Sequence, residues 1–216
     1  LNEEAAWACT TCNACIEVCP VGNEQMLHII DVRRERVLTA AEFPKGLQNA
    51  FNHMERAGNP FGMPGAERLV WAKDLPFPVP TLEENSRPEV LYWVVCAVAF
   101  DPRAQKIARS MPELLHAAGG NWAVIGKNEK CTGDSPRRTG NEYLFAQMAE
   151  ENVAVLNEIK PKTIVTTCPH CFHTIGNEYP QFGGNYVVKH HTTFIDELVR
   201  AGKLKLAANG TGAVTY

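Results

Sequence analysis

The chain has 216 residues, a formal charge of −3 and eight cysteines, and 45% of it is hydrophobic. That length buries a core without disulfide staples, and the lack of any Lys/Arg block argues against a nucleic-acid surface. No apolar run reaches the roughly 18 residues of a membrane span, and LNEEAAWACT is not an export signal, so a cytoplasmic chain is expected.

The first feature along the chain is CTTCNACIEVCP, residues 9–20, with the pattern C-x2-C-x2-C-x3-C-P. This is the bacterial ferredoxin run, in which three closely spaced thiolates hold one four-iron cluster and the fourth reaches a neighbouring one. Cys9, Cys12, Cys15 and Cys19 are therefore expected to be 4Fe-4S ligands, with Cys19 either reaching a neighbouring cluster or closing this one alone. Zinc sites more commonly show two C-x2-C pairs separated by a longer loop. The partner motif that Cys19 would serve is absent from the sequence, and with no initiator Met before the motif the chain reads as a segment of a longer protein.

Helical periodicity follows. MLHIIDVRRERVL, 26–38, puts its apolar residues near one face, and KGLQNAFNHMERAG runs from Pro44 to a stop at Gly58. Six prolines between residues 59 and 88 mark an extended linker. Beyond it, EVLYWVV (89–95), NWAVIG (121–126) and KTIVTT (162–167) read as buried strands. Helices are expected from Pro102 through His116 and over 142–159, then a strand at NYVV (185–188) and a helix from Thr193 to Ala201. This alternation predicts an α/β fold with a doubly wound, mainly parallel sheet. The domains are then a ferredoxin-type segment at 1–58, the linker at 59–88 and an α/β domain at 89–216.

Cys96 follows the first of these strands, Cys131 lies in the loop after the second, and Cys168 follows the third with Cys171 one turn on. Parallel strands deliver their carboxyl ends to one edge, so these four thiols are expected along a single rim. A thioredoxin-like dithiol needs only Cys168 and Cys171, where a helix N-terminus would lower the thiol pKa, and a structural zinc site is a further alternative. An iron–sulfur site accounts for all four.

WACTTCNACIEVCP, KCTGDSPRRTGNEYLF (130–145) and IVTTCPHCFHTIGNEYPQFGG (164–184), followed by HHT, resemble the CCG-domain, or cysteine-rich-domain, iron–sulfur oxidoreductases. This family includes heterodisulfide reductase, the glycolate oxidase iron–sulfur subunit and quinone oxidoreductases linked to electron-transfer flavoprotein. The resemblance implies a ligand set of Cys96, Cys131, Cys168 and Cys171. The second cysteine of the C-C-G tripeptide is Thr132 here, and Val95 and Val98 stand where the family shows glycines near the first cysteine. Five cysteines support a noncubane disulfide-cleaving cluster in heterodisulfide reductase, whereas four suit an ordinary 4Fe-4S relay.

The implied function is an electron-transfer module between a flavoprotein or dehydrogenase donor and a quinone or other acceptor. The alternatives are a catalytic disulfide reductase subunit and a zinc-stabilised structural module. A membrane partner would be reached through flanking sequence, at the cytoplasmic face. Full-length relatives carry two such repeats, so GAVTY is expected to lead into a second. Candidate donors to the cluster sulfurs are the amides around Gly133 and the side chains of Thr132 or His170. Arg137 and Arg138 read as a solvated pair, and His173, His190 and His191 as structural.

Overall fold

The computed structural model describes residues 3–205, so the expected lead into a second repeat at GAVTY lies outside the described residues. Three strands form where β-branched and aromatic residues are continuous: β1 (Val90–Trp93), β2 (Trp122–Val124) and β3 (Thr163–Thr166). A fourth, β4 (Val188–His190), begins three residues later than NYVV suggested: the Tyr186 hydroxyl turns away to donate to the Val153 carbonyl at 3.2 Å, and of the earlier residues Val187 meets β3 through its carbonyl, which accepts from the Ile164 amide at 2.9 Å. All pairings are parallel, in the order β2-β1-β3-β4. Leu91, Tyr92, Ile164 and Val165 are fully buried, as parallel strands covered on both faces require. The chain crosses first one way along the sheet, from β1 to β2, and then back, from β2 to β3. Right-handed crossovers in opposite directions put helices on both faces, so the sheet is doubly wound as expected.

The expected helix from Pro102 begins three residues later, at Gln105, and a short helix that was not expected precedes it. Asp101 holds the turn between the two, its carboxylate accepting from the Ala104 amide at 2.9 Å. They are α5 (Cys96–Phe100) and α6 (Gln105–Ala118). The later helices are α7 (Asp134–Thr139), α8 (Glu142–Ile159), α9 (Pro169–His173) and α10 (His191–Arg200). Asn141 starts α8 by accepting from the Leu144 amide at 3.1 Å, and Lys160 in the left-handed region ends it before Pro161. In the first segment, α1 (Glu3–Ala8) and α2 (Ala14–Glu17) flank the first cysteines. They are followed by α3 (Gln25–Glu35), which runs on into a π-helical turn at Arg36–Ala40, and by α4 (Lys45–Ala57).

Residues 59–88 are not the extended linker that their prolines suggested. Gly65–Asp74 forms a 3-10 helix, with Trp71 fully buried in the main core and Arg68 buried beside it. Thr81 forms a parallel bridge to Val124, and Val124 donates its amide to the Pro80 carbonyl at 2.9 Å. Proline limits the helical type here. It does not prevent packing, since its ring is apolar and its fixed φ suits short turns. This stretch is better described as a strap.

Phe51 and Met54 of α4 pack on Leu144 and Met148 of α8, and two close polar or backbone contacts further dock the first segment on the α/β part. Arg33 is buried and donates to the carbonyls of Ala6 and Cys9 on one side and of Arg138 on the other, at 2.6–2.9 Å. Gly140, with φ +90°, lies so near the backbone of α3 that a Cβ would come within 2.4 Å of the Arg33 carbonyl carbon. Backbone cannot yield as a side-chain end can. Gly140→Ala is therefore expected to destabilise by about 1–3 kcal/mol, read as a lower denaturation midpoint with greater protease access to α3.

Candidate metal centre

The sheet order fixes where a ligand would sit. The chain leaves β1 toward β2 and then crosses back to β3, so β1 and β3 part at their carboxyl ends, the crevice where open α/β sheets bind ligands. Cys96 opens α5 directly after β1, and Cys168 caps α9 directly after β3. Cys171 is buried on α9, and Cys131 lies between β2 and α7 with its amide donating to the Gly58 carbonyl at 2.7 Å.

These four thiols, all free of disulfides, come together as two pairs. Cys96 hydrogen-bonds to Cys131, and Cys171 to Cys168. Cys131 is shifted down by the Cys96 thiol, then by the Gly133 amide and Arg68, against burial. Cys168 is lowered to about 6 by the Cys171 thiol, then by the amides of Cys171 and His170. Cys96 and Cys171 are pushed up by these same hydrogen bonds and by burial. Among the described residues no three His, Cys, Asp or Glu side chains converge at single-ion distances.

Thr132, where the family pattern has a cysteine, is buried and donates from Oγ1 to Cys171 Sγ at 3.5 Å. Its carbonyl accepts from the Tyr179 hydroxyl at 2.9 Å, and Asn152 Nδ2 donates to the Cys131 carbonyl at the same distance. The Gly133 amide and the Thr132 hydroxyl thus reach sulfur, as the sequence suggested. His170 instead faces Asp134, with Nδ1 3.1 Å from Oδ2 and the ring mostly exposed. His173 lies 3.5 Å from Glu178, while His190 lies against the His191 ring and meets the Thr192 hydroxyl.

Two further residues of this site were not read from the sequence. Arg68, on the strap, donates from Nη2 to Cys96 Sγ at 3.0 Å and from Nη1 to Glu129 at 2.8 Å. The Glu129 carboxylate also accepts from the amides of Val94 and Val95 at 3.0 and 3.1 Å. Val95 adopts φ +74° and ψ 141°, which is rare for a β-branched residue and costs about 1–3 kcal/mol. Glu129 thereby pins the strained peptide that aims Cys96. Burial raises the Glu129 pKa against these contacts. Burial also works against the Arg68 charge, but Glu129 and Cys96 outweigh it and move the Arg68 pKa up. The one sequence clue was Trp71, an indole too costly to leave in a solvated linker.

Arg137 and Arg138 are not a solvated pair. Arg137 pairs with Glu142, and Arg138 with Glu178 at 2.6 Å and Asp134 at 3.3 Å, all largely buried. They line a cleft of about 410 Å³ that has Cys12 of the first motif on one wall and Pro169 and His170 of α9 on the other. In the first motif Cys12 and Cys15 are exposed. Cys19 Sγ accepts from the Asn23 amide at 3.2 Å, and Cys9 Sγ from the Thr11 amide at 3.4 Å. The Ala14 amide, followed by the Thr10 hydroxyl, lowers the Cys12 pKa.

Residues 90–176 match the family model described as "CCG: Cysteine-rich domain". The chain is 43% identical over 210 residues to "Probable iron-sulfur-binding oxidoreductase FadF" of Bacillus subtilis, covering 95% of this chain and 30% of that protein. It is 39% identical to "EtfAB:quinone oxidoreductase" of Syntrophomonas wolfei, covering 95% and 29%. To one polypeptide of the dihydromethanophenazine:CoB--CoM heterodisulfide reductase of Methanosarcina barkeri it is 26% identical, covering 96% and 50%. No solved structure matches. The chain thus spans about 30% of the length of the first two relatives. Residues 90–176 thus match a CCG cysteine-rich domain, and the chain around them is similar to proteins named as iron–sulfur and quinone oxidoreductases.

Proposed function

We propose that this chain is an iron–sulfur electron-transfer module. Cys9, Cys12, Cys15 and Cys19 would hold a ferredoxin-type 4Fe-4S cluster in residues 1–58, and Cys96, Cys131, Cys168 and Cys171 a second cluster in the domain of residues 89–216. The observation that carries this reading is the convergence of four thiols from three neighbouring parallel strands on the β1/β3 crevice.

The donor set suits the group. Thiolates are the ligands of iron–sulfur clusters, and Arg68, Thr132 and the Gly133 amide supply the donors to sulfur that such sites use. Four sulfurs spread over two pairs fit a polynuclear group better than one tetrahedral ion. A bound cluster supplies one-electron chemistry. The chain's part is to bury it, to donate to its sulfurs, and to keep two such sites across one cleft through Arg33 and the α3–α7 contact.

With four cysteines and Thr132 at the rim, this reading is a relay and not a disulfide-splitting centre. The Syntrophomonas relative's name joins EtfAB to quinone. By that likeness the donor is a flavoprotein or dehydrogenase and the acceptor a quinone or similar carrier. The site of action is the cytoplasm, at the face of a membrane. Among the described residues no helix is long and apolar enough to cross one.

Anaerobic reconstitution followed by iron, zinc and acid-labile sulfide analysis tests the reading. A brown protein with matching iron and sulfide, bleached by dithionite, is expected. A colourless chain that retains zinc and takes up no sulfide would overturn it.

A further inference from the structure

The rim site contains a buried cation that the cysteine pattern does not announce. Arg68 is 2% exposed, and its guanidinium spans from Cys96 Sγ at 3.0 Å to Glu129 at 2.8 Å. The Phe100 ring lies beneath it, 5.2 Å from the guanidinium carbon to the ring centroid. Its position is fixed from behind. The 3-10 helix that carries it starts at Gly65, whose backbone is so close to the Lys127 carbonyl that a Cβ would stand 2.4 Å from that oxygen. Trp71, one turn on, is fully buried. A surface arginine could swing away from a sulfur. This one is held on it from both sides.

A desolvated arginine beside a metal-binding sulfur is expensive to keep, and Glu129 offsets only part of that cost, since its own carboxylate is shared with the Val94 and Val95 amides. Stability alone gives little reason to bury such a pair, because apolar residues of similar volume commonly serve as well. Placement on the ligand atom gives a reason. When a thiolate-bound centre accepts an electron, negative charge is added next to the guanidinium, and in a low-dielectric site that charge is felt strongly. Hydrogen bonds to sulfur and net charge are levers that set the potential of such a centre.

We propose that Arg68 and Glu129 are an opposed pair of positioning residues that set the reduction potential of the rim site. Arg68 raises it through its hydrogen bond to Cys96, and Glu129 restrains that rise while holding both Arg68 and the strained Val95 peptide in place. The inference rests on the reading that the rim thiols hold an iron–sulfur cluster.

The test is a dye-mediated potential titration, followed by EPR, of the reconstituted full chain and of Arg68→Gln, Arg68→Lys and Glu129→Gln, each with iron analysis. Arg68→Gln removes the cation and is expected to shift the reduction equilibrium about tenfold toward the oxidised form, about 59 mV lower for a one-electron couple. Glu129→Gln removes the opposing charge and is expected to shift it upward. Arg68→Lys keeps the charge and is expected to stay closer to wild type than Arg68→Gln.

A merely structural role would loosen the site in both neutralising variants and give no opposed signs. Potentials unmoved in both, or moved the same way, would overturn the inference while leaving the cluster reading intact. If Arg68→Gln holds no rim iron, the Glu129→Gln arm decides: a rise supports the proposal and an unchanged potential overturns it. Wild-type protein whose iron content is unaffected by Cys168→Ser would overturn the cluster reading and this inference together.

Discussion

Cys131→Ser is expected to strip the iron from the rim and leave the first motif loaded, so that iron and labile sulfide per chain fall by about half if both sites carry four-iron clusters. Serine preserves the volume, the backbone amide bond to Gly58 and the Asn152 contact to the residue's carbonyl, so the fold has little reason to change. On the proposed reading, what it loses is a soft thiolate ligand. The Cys96 thiol, the Gly133 amide and Arg68 all push Cys131 toward its thiolate, whereas an alcohol stays protonated in the same surroundings. The reciprocal variant, Cys12→Ser, is expected to lose the first cluster and keep the rim iron. Equal iron in wild type and Cys131→Ser would remove the rim site from consideration.

Trp71→Ala is expected to cost about 3–5 kcal/mol of stability, a large share of what a domain of this size has. Trp71 is fully buried among side chains of the main core, and its loss leaves a cavity that the 3-10 helix, clamped at Gly65, cannot readily close. Among the described residues the indole N–H has no partner, so deleting it returns some of the cost and the lower half of the range is the better expectation. Val70→Ala, on the half-exposed neighbour, is the control and should change stability by less than about 0.5 kcal/mol. Urea unfolding followed by tryptophan-independent circular dichroism measures both. A strap that was only a linker would show no difference between them.

The strands and the four rim cysteines were legible because their signals are local. Runs such as VLYW and TIVT state burial directly, and a cysteine just past such a run must emerge at the strand's carboxyl end. The ferredoxin-type spacing is likewise contained in twelve residues. Arg68 and Glu129 were not legible, since Arg68 lies 28 residues before Cys96 and 61 before Glu129, and a lone charge in a proline-rich stretch looks solvated. Arg138 misled in the same way, because Glu178, its nearest carboxylate, lies 40 residues beyond it; Arg137 has its partner Glu142 only five residues on, but nothing local says that the pair is covered. The strap itself was hidden because proline argues against regular structure and says nothing about burial. Tertiary packing around Trp71 decided that question.

The bridge from Thr81 to Val124 bears on how the molecule avoids its own kind. β2 is an outer strand of the sheet, and a free outer strand is a template on which another chain can add a strand. The strap covers it, with Leu82 donating its amide to the Val124 carbonyl and Pro80 offering a carbonyl but no amide to extend the ladder. The opposite edge, β4, is three residues long and carries Lys189 at its centre. A protein whose thiols must stay reduced and unlinked until they are loaded would have much to lose from edge-to-edge aggregation, and both margins of this sheet are blunted against it.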